Sequence, residues 1–236
     1  MGTLYLVGKT KGGGGASTAV SHLAVMRALA GKKIVVYDFD KQRSTHGFLN
    51  MRNGTEVTPH IKVISAYLKM LPGQDPVPAG KALIKDLRMA AEEYEDVLID
   101  CGGTDNPALR FAMLVADKMF VPLSPAMFDV WALDDLNTIL SDISSSRTDD
   151  FRPIVFPNMV SPLTDESATY VKLTGEYQSF DFAPSYVVLK HRAAYRRSLA
   201  EGKGIFDMDR PDPKAKQELL RLYHLVFGED WSRANG

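Results

Sequence analysis

Lys11-Gly12-Gly13-Gly14-Gly15-Ala16-Ser17-Thr18 is the stretch that decides the fold. It follows a short apolar run at residues 3–7. It leads into residues 17–29, where Val20, Leu23, Ala24 and Ala28 recur at helical spacing and Gly31 offers a stop. A strand that enters a glycine-rich turn and leaves it as a helix builds an anion site. Glycines let backbone N–H groups approach a phosphate closely, and the helix N-terminus adds its partial positive charge.

Working outward, residues 33–38 (Lys-Ile-Val-Val-Tyr-Asp), 61–65, 96–100 and 118–122 read as further buried strands, with 153–156 and 186–189 as late ones. Helical patterns occupy 78–94, 107–116, 128–143 and 211–227, and Pro107 suits the first turn of its helix. Near-continuous β-branched strands separated by helices predict an α/β fold, with a mostly parallel twisted sheet covered by helices on both faces. The Pro/Gly-rich residues 71–80 read as a surface loop, and no internal repeat or low-complexity segment is present. The first strand begins almost at residue 1, leaving no room ahead of it for a helix-turn-helix. One domain spanning 1–236 is expected.

Composition narrows the function classes. The chain has 236 residues, of which 45% are hydrophobic, ample for a sizeable core. With 28 Lys+Arg against 29 Asp+Glu, affinity for nucleic acid or a membrane surface has to come from a local patch. The single cysteine, Cys101, excludes an internal disulfide and fits a reducing cytosol. No apolar run approaches the roughly 18–20 residues of a membrane span, and the N-terminus lacks the marks of a secretory signal. A cytoplasmic protein is expected.

The ordinary phosphate loop reads G-x-x-x-x-G-K-[ST]. Lys9-Thr10 is discounted as its end, because the required earlier glycine would fall on Thr3. The loop instead ends at Gly15-Ala16-Ser17-Thr18. This resembles the ParA/MinD family of P-loop ATPases, whose deviant loop K-G-G-x-G-K-[ST]-T is matched at Lys11, Gly12, Gly13, Gly15, Ser17 and Thr18, with Gly14 at the variable position. The resemblance implies ATP/ADP and Mg²⁺ as ligands. It makes Lys11 the signature lysine reaching phosphates across an ATP-dependent sandwich homodimer, Ser17 a Mg²⁺ ligand and Thr18 an α-phosphate contact. The departure is Ala16, which stands where the in-chain lysine belongs. Loss of one member of a buried charged pair costs roughly 2–5 kcal/mol, or roughly thirty- to several-thousand-fold in affinity. An impaired ATPase is expected.

Two acidic segments support the site. Asp38-Phe39-Asp40-Lys41-Gln42 resembles the family's D-x-D-P-Q, with Lys41 in place of proline. By that resemblance Asp40 orients or deprotonates the attacking water and Asp38 supports the Mg²⁺ shell, work that suits an ionised carboxylate. The strand at 96–100 (Asp-Val-Leu-Ile-Asp), apolar at its centre, ends in Asp100, a Walker B arrangement that sets a carboxylate beside Mg²⁺. Gly102-Gly103 resembles the switch II turn, and Cys101 reads as a small buried residue. Phe156-Pro157-Asn158 resembles the strand end whose asparagine reads the adenine edge; alone, such an Asn is an ordinary turn residue.

Function beyond the ATPase rests on the last third. Lys190, Arg192, Arg196, Arg197 and Lys203 are interrupted by one acid, Glu201. On a short helix the arginines share an exposed side, a stripe suited to salt-dependent, sequence-independent contact with DNA phosphates. A solvated basic helix is the plainer alternative. Partition ATPases of the resembled family bind nucleoid DNA while loaded with ATP, and a ParB-like or other centromere- or cargo-binding adaptor stimulates hydrolysis. A nucleoid-associated partition ATPase is therefore the expectation. Reversal of Arg192 and Arg196 to Glu is expected to abolish DNA retention with the fold intact. Two alternatives stay open: a MinD-like membrane-positioning ATPase, and a non-catalytic scaffold. Leu219, Leu220, Leu222, Tyr223, Val226 and Phe227 form a C-terminal apolar face, but the acids that follow favour packing on the sheet over membrane insertion.

Overall fold

A computed structural model of the chain describes residues 1–10, 13–69, 73–102, 107–124, 128–169 and 182–234, with side chains for all of these except 128–132. In chain order they form β1 (Thr3–Gly8), α1 (Ala16–Leu29), β2 (Ile34–Asp38), α2 (Ser44–Asn53), β3 (Lys62–Ser65) and α3 (Val77–Glu93). Next come β4 (Asp96–Cys101), α4 (Pro107–Met113), β5 (Lys118–Leu123), α5 (Phe128–Ser144), β6 (Ile154–Pro157) and β7 (Ala183–Pro184). The chain then forms α6 (Ala193–Ala200), a 3-10 turn (Ile205–Asp207) and α7 (Pro213–Phe227).

The strands make one seven-stranded sheet in the order β3-β2-β4-β1-β5-β6-β7, with every pairing parallel. Parallel neighbours need crossover helices, and those helices bury both faces of the sheet. Alternation along each strand sorts the side chains. Tyr5, Val7, Ile34, Val36, Leu98 and Phe120 join one core cluster with residues of α1, α2, α6 and α7. Leu4, Leu6, Val35, Tyr37, Val97, Ile99, Met119 and Val121 join a second cluster with α3, α4 and α5. The expected α/β architecture, helices on both faces, is what the chain adopts.

α1 is buried on every side from Ala19 to Leu29, because it lies between the sheet and a further layer that includes α7. This explains an apolar helix with little amphipathic bias. α7 starts on Pro213 behind Asp212, whose carboxylate accepts from Ala215 N at 2.8 Å, and ends at Gly228 with φ 73. Its residues Leu219, Leu222, Tyr223, Val226 and Phe227 all pack into the first cluster, with Leu220 partly buried against it. The C-terminal apolar face is thus spent on the chain's own core.

Two sequence expectations are corrected. α2 has no counterpart in the sequence reading: its ten residues STHGFLNMRN carry a central glycine and few apolar side chains, so the helical period is weak. The strand expected at 186–189 is not one. Pairing with β6 falls on Ala183–Pro184, after which Leu189 N donates to Pro157 O at 3.0 Å and Lys190 forms a lone bridge with Val160. Val188 and Leu189 are buried, so the apolar run serves packing without a ladder. Among the described residues no helix is long and apolar enough to cross a membrane.

Candidate functional site

β1 lies between β4 and β5, and the loop that leaves it opens at the carboxyl ends of the parallel strands. In open α/β sheets ligands bind in the crevice at those ends. Lys11 and Gly12 lie outside the described residues. Gly13 and Gly15 take φ values of 87 and 75, a region open to glycine and strained for other residues. Gly14 and Gly15 are also demanded by contact. A Cβ on Gly14 would stand 2.6 Å from Lys9 Cε, 2.8 Å from Pro122 O and 2.9 Å from Lys9 Nζ. A Cβ on Gly15 would stand 2.6 Å from Asn158 Nδ2.

Ala16, Ser17 and Thr18 form the first turn of α1, all partly exposed, and the Ala16 methyl packs against the first core cluster. No acidic residue occupies that turn, so its free N–H groups remain available to an anion.

The carboxylates gather beside this turn. Asp100, at the end of β4, is fully buried, and Thr45 Oγ1 donates to its Oδ2 at 2.6 Å. Its Oδ1 is buried without a hydrogen-bond partner among the described residues. Burial pushes the Asp100 carboxyl up to about 7; the charges of Asp38 and Asp40 add to this, and the Thr45 and Ser17 hydroxyls oppose it. Asp38 ends β2. It accepts from Asp40 N at 2.9 Å and from His46 N, in the first turn of α2, at 2.8 Å. Burial raises its pKa too, while those two backbone bonds lower it. Asp40 is half-exposed, accepts from Gln42 N at 2.8 Å, and sits so close to Gly102 that a Cβ there would fall inside its carboxylate.

The structure therefore brings Gly13–Ser17, Asp38, Asp40 and Asp100 to one end of the sheet. Sequence reasoning missed Thr45, whose hydroxyl links Asp100 to the backbone of Ser17 at 3.3 Å. The Ser44-Thr45 pair six to seven residues beyond Asp38 was the available signal. Cys101 is buried, and desolvation pushes its thiol well above the usual range, so it is no nucleophile. Among the described residues no three His, Cys, Asp or Glu side chains converge as a metal cage. The donor set suits Mg²⁺ instead, which is held through a hydroxyl, one or two carboxylates, waters and phosphates. The unsatisfied Asp100 oxygen is the place where a cation or its water fits.

Asn158 is buried at the end of β6, and its amide is engaged with the loop: Nδ2 donates to Gly14 O at 2.6 Å, and Oδ1 accepts from Met159 N at 2.9 Å. The basic residues do not form the common stripe expected. Arg192 precedes α6, and its guanidinium grips Glu218 of α7 at 2.8 and 2.5 Å, with side chains only 16% and 5% exposed. Its charge is thereby neutralised inside the fold. Lys190 Nζ donates to Thr164 O at 3.0 Å. Arg196 and Arg197 are exposed, and Lys203 is partly so.

A glycine loop on a central parallel strand, a helix N-terminus and carboxylates at the ends of two neighbouring strands define a P-loop ATPase of the ParA/MinD type. The family model for the ATPase MipZ matches residues 3–147, and the chain belongs to that family. No protein of curated function matches the chain. Among solved structures, McdA from Cyanothece in complex with ATP is 14% identical, with 99% of each chain covered and a TM-score of 0.73. MinD from Pyrococcus horikoshii OT3 complexed with Mg-ADP is 15% identical over 96% of each chain, TM-score 0.66. A ParA family ATPase from Chlorobium tepidum TLS is 13% identical over 95% of this chain and 98% of its own, TM-score 0.65. At these identities the likeness is one of fold.

Proposed function

We propose that the chain is a cargo-positioning ATPase in which nucleotide occupancy, rather than rapid turnover, is the working signal. The observation that carries this is the buried, half-satisfied Asp100 carboxylate next to Ser17 at the mouth of the loop. When bound, Mg²⁺ supplies charge neutralisation on the phosphates of ATP or ADP. Ser17 and Asp100 hold the ion or its water, and Asp38 fixes the turn that presents them. Gly12–Gly15 and the first turn of α1, with Thr18, offer backbone and hydroxyl donors to the phosphates. Asp40 orients the attacking water beside Gly102. Lys11 serves the second copy of a sandwich homodimer, and Asn158 sets the loop against the base-binding side. With Ala16 in the loop, stabilisation of the transferring phosphoryl group falls by roughly a hundredfold or more.

The whole chain would act as one domain in the cytoplasm. Exposed Arg196 and Arg197, with the partly exposed Lys203 on the same stretch of chain, support weak nonspecific DNA contact on the nucleoid, and a ParB-like or other cargo adaptor would stimulate hydrolysis. The burial of the α7 face argues against that helix as a membrane anchor.

Titration of a fluorescent ATP analogue with and without Mg²⁺, on wild type and on Asp100→Asn, tests the reading. Wild type is expected to bind more tightly with Mg²⁺ and Asp100→Asn to lose that gain. An equal Mg²⁺ response in both would overturn it.

A further inference from the structure

Lys9 follows β1 directly and is only 2% exposed. Lysine is seldom buried to this degree, because its long stem normally carries the ammonium out to water. Here the stem turns toward the phosphate loop. Cε and Nζ stand 2.6 and 2.9 Å from the place a Cβ on Gly14 would occupy, beside the Pro122 carbonyl. The carbonyl of the same Gly14 is held by Asn158. The ammonium thus lies against the loop that the family pattern would furnish with a lysine at position 16, where this chain has a methyl group packed on the core.

We propose that Lys9 supplies the phosphate loop with the positive charge that Ala16 does not, and that its ligand is the phosphate chain of a nucleoside di- or triphosphate. This rests on the nucleotide reading above and assigns one of its charges. The loop's N–H groups and the N-terminus of α1 already form a positive end. An anion held at that end meets the ammonium as well as the N–H groups, and a charged donor makes the stronger hydrogen bond. A lysine suits the role because its compact charge sits on an adaptable stem. Gly14 completes the pair, since any side chain at that position would displace the ammonium.

The alternative is a strut, in which Lys9 braces the loop without meeting the ligand. Four proteins separate the two: wild type, Lys9→Met, Ala16→Lys and the double variant. Each is titrated with a fluorescent ATP analogue and with ADP in Mg²⁺, and each is melted to confirm the fold. Lys9→Met is expected to lose affinity roughly thirtyfold or more. Addition of Ala16→Lys to Lys9→Met is expected to recover at least about tenfold. Lys9→Gln keeps most of the length and polarity without the charge; if Lys9→Met misfolds, retained affinity in Lys9→Gln overturns the proposal. So does wild-type affinity in Lys9→Met, or a loss that Ala16→Lys leaves unrepaired and that a lowered melting temperature accompanies. If wild type itself shows no saturable binding, the nucleotide reading fails, a result distinct from failure of Lys9 alone.

Discussion

At position 16 a methyl group packs against the core, and among the described residues the Lys9 ammonium lies against Gly14 of the loop. Ground-state binding and transition-state stabilisation are then separable. Ala16→Lys in the otherwise unchanged chain is expected to tighten nucleotide binding less than about tenfold while raising kcat by about a hundredfold. Phosphate release at saturating ATP measures this, and an unchanged kcat contradicts it. Asp40 offers a second residue-scale test. Gly102→Ala drives a Cβ into its carboxylate, so hydrolysis should vanish while nucleotide affinity stays within a few-fold. A Gly102→Ala protein that hydrolyses like its parent would remove Asp40 from the mechanism. Much of this site was legible in the sequence, because a glycine loop and strand-end acids are local patterns. Lys9 and Thr45 were not. Lys9 gains its meaning from Pro122 and Gly14, and Thr45 from Asp100, contacts that chain order does not reveal.

At the scale of elements, the basic stretch shows how a helical reading can mislead. Spacing places Arg192, Arg196 and Arg197 on one side, yet Arg192 is the residue before α6 and is tied to Glu218 on α7. Arg192→Glu would set two carboxylates together in a nearly buried site and should destabilise the fold by roughly 3–5 kcal/mol. Reversal of Arg196 and Arg197 instead leaves the melting temperature nearly unchanged. If the DNA reading is right, it abolishes salt-sensitive retention on a nonspecific duplex; retention equal to the parent's would favour a merely solvated helix. The strands of the sheet centre and α1 were readable because they are near-continuous apolar runs, the strands buried on both faces and α1 on every side. α2 and β7 were hidden for opposite reasons. α2 is held by polar anchors such as Arg52, whose guanidinium pairs with Asp207 at 2.8 Å, while the apolar 186–189 run meets the end of β6 only through Leu189 and builds no ladder.

At the scale of the molecule, α1 joins the phosphate loop to the layer that covers it. His22, fully buried on α1, accepts from Ile205 N at 3.3 Å and packs on Tyr195 at 5.4 Å between ring centroids. Desolvation lowers its pKa from 6.5 to about 4, against the opposing pull of Asp207. The unfolded chain therefore takes up this proton first. The stability His22 contributes is complete above about pH 6.5 and is lost as pH falls toward 4, up to roughly 3 kcal/mol. His22→Asn keeps an acceptor for Ile205 and should flatten that part of the stability–pH curve; an unchanged slope would place the acid sensitivity elsewhere. The same rigid scaffold holds the loop, Asp38, Asp40 and Asp100 in register, so the central claim is that this end of the sheet binds Mg²⁺-ATP despite Ala16. The most direct measurement is an equilibrium titration of the unaltered chain with a fluorescent ATP analogue in Mg²⁺. The account predicts saturable binding that unlabelled ADP competes away and that chelation of Mg²⁺ weakens. Absence of saturable binding up to millimolar analogue would contradict it.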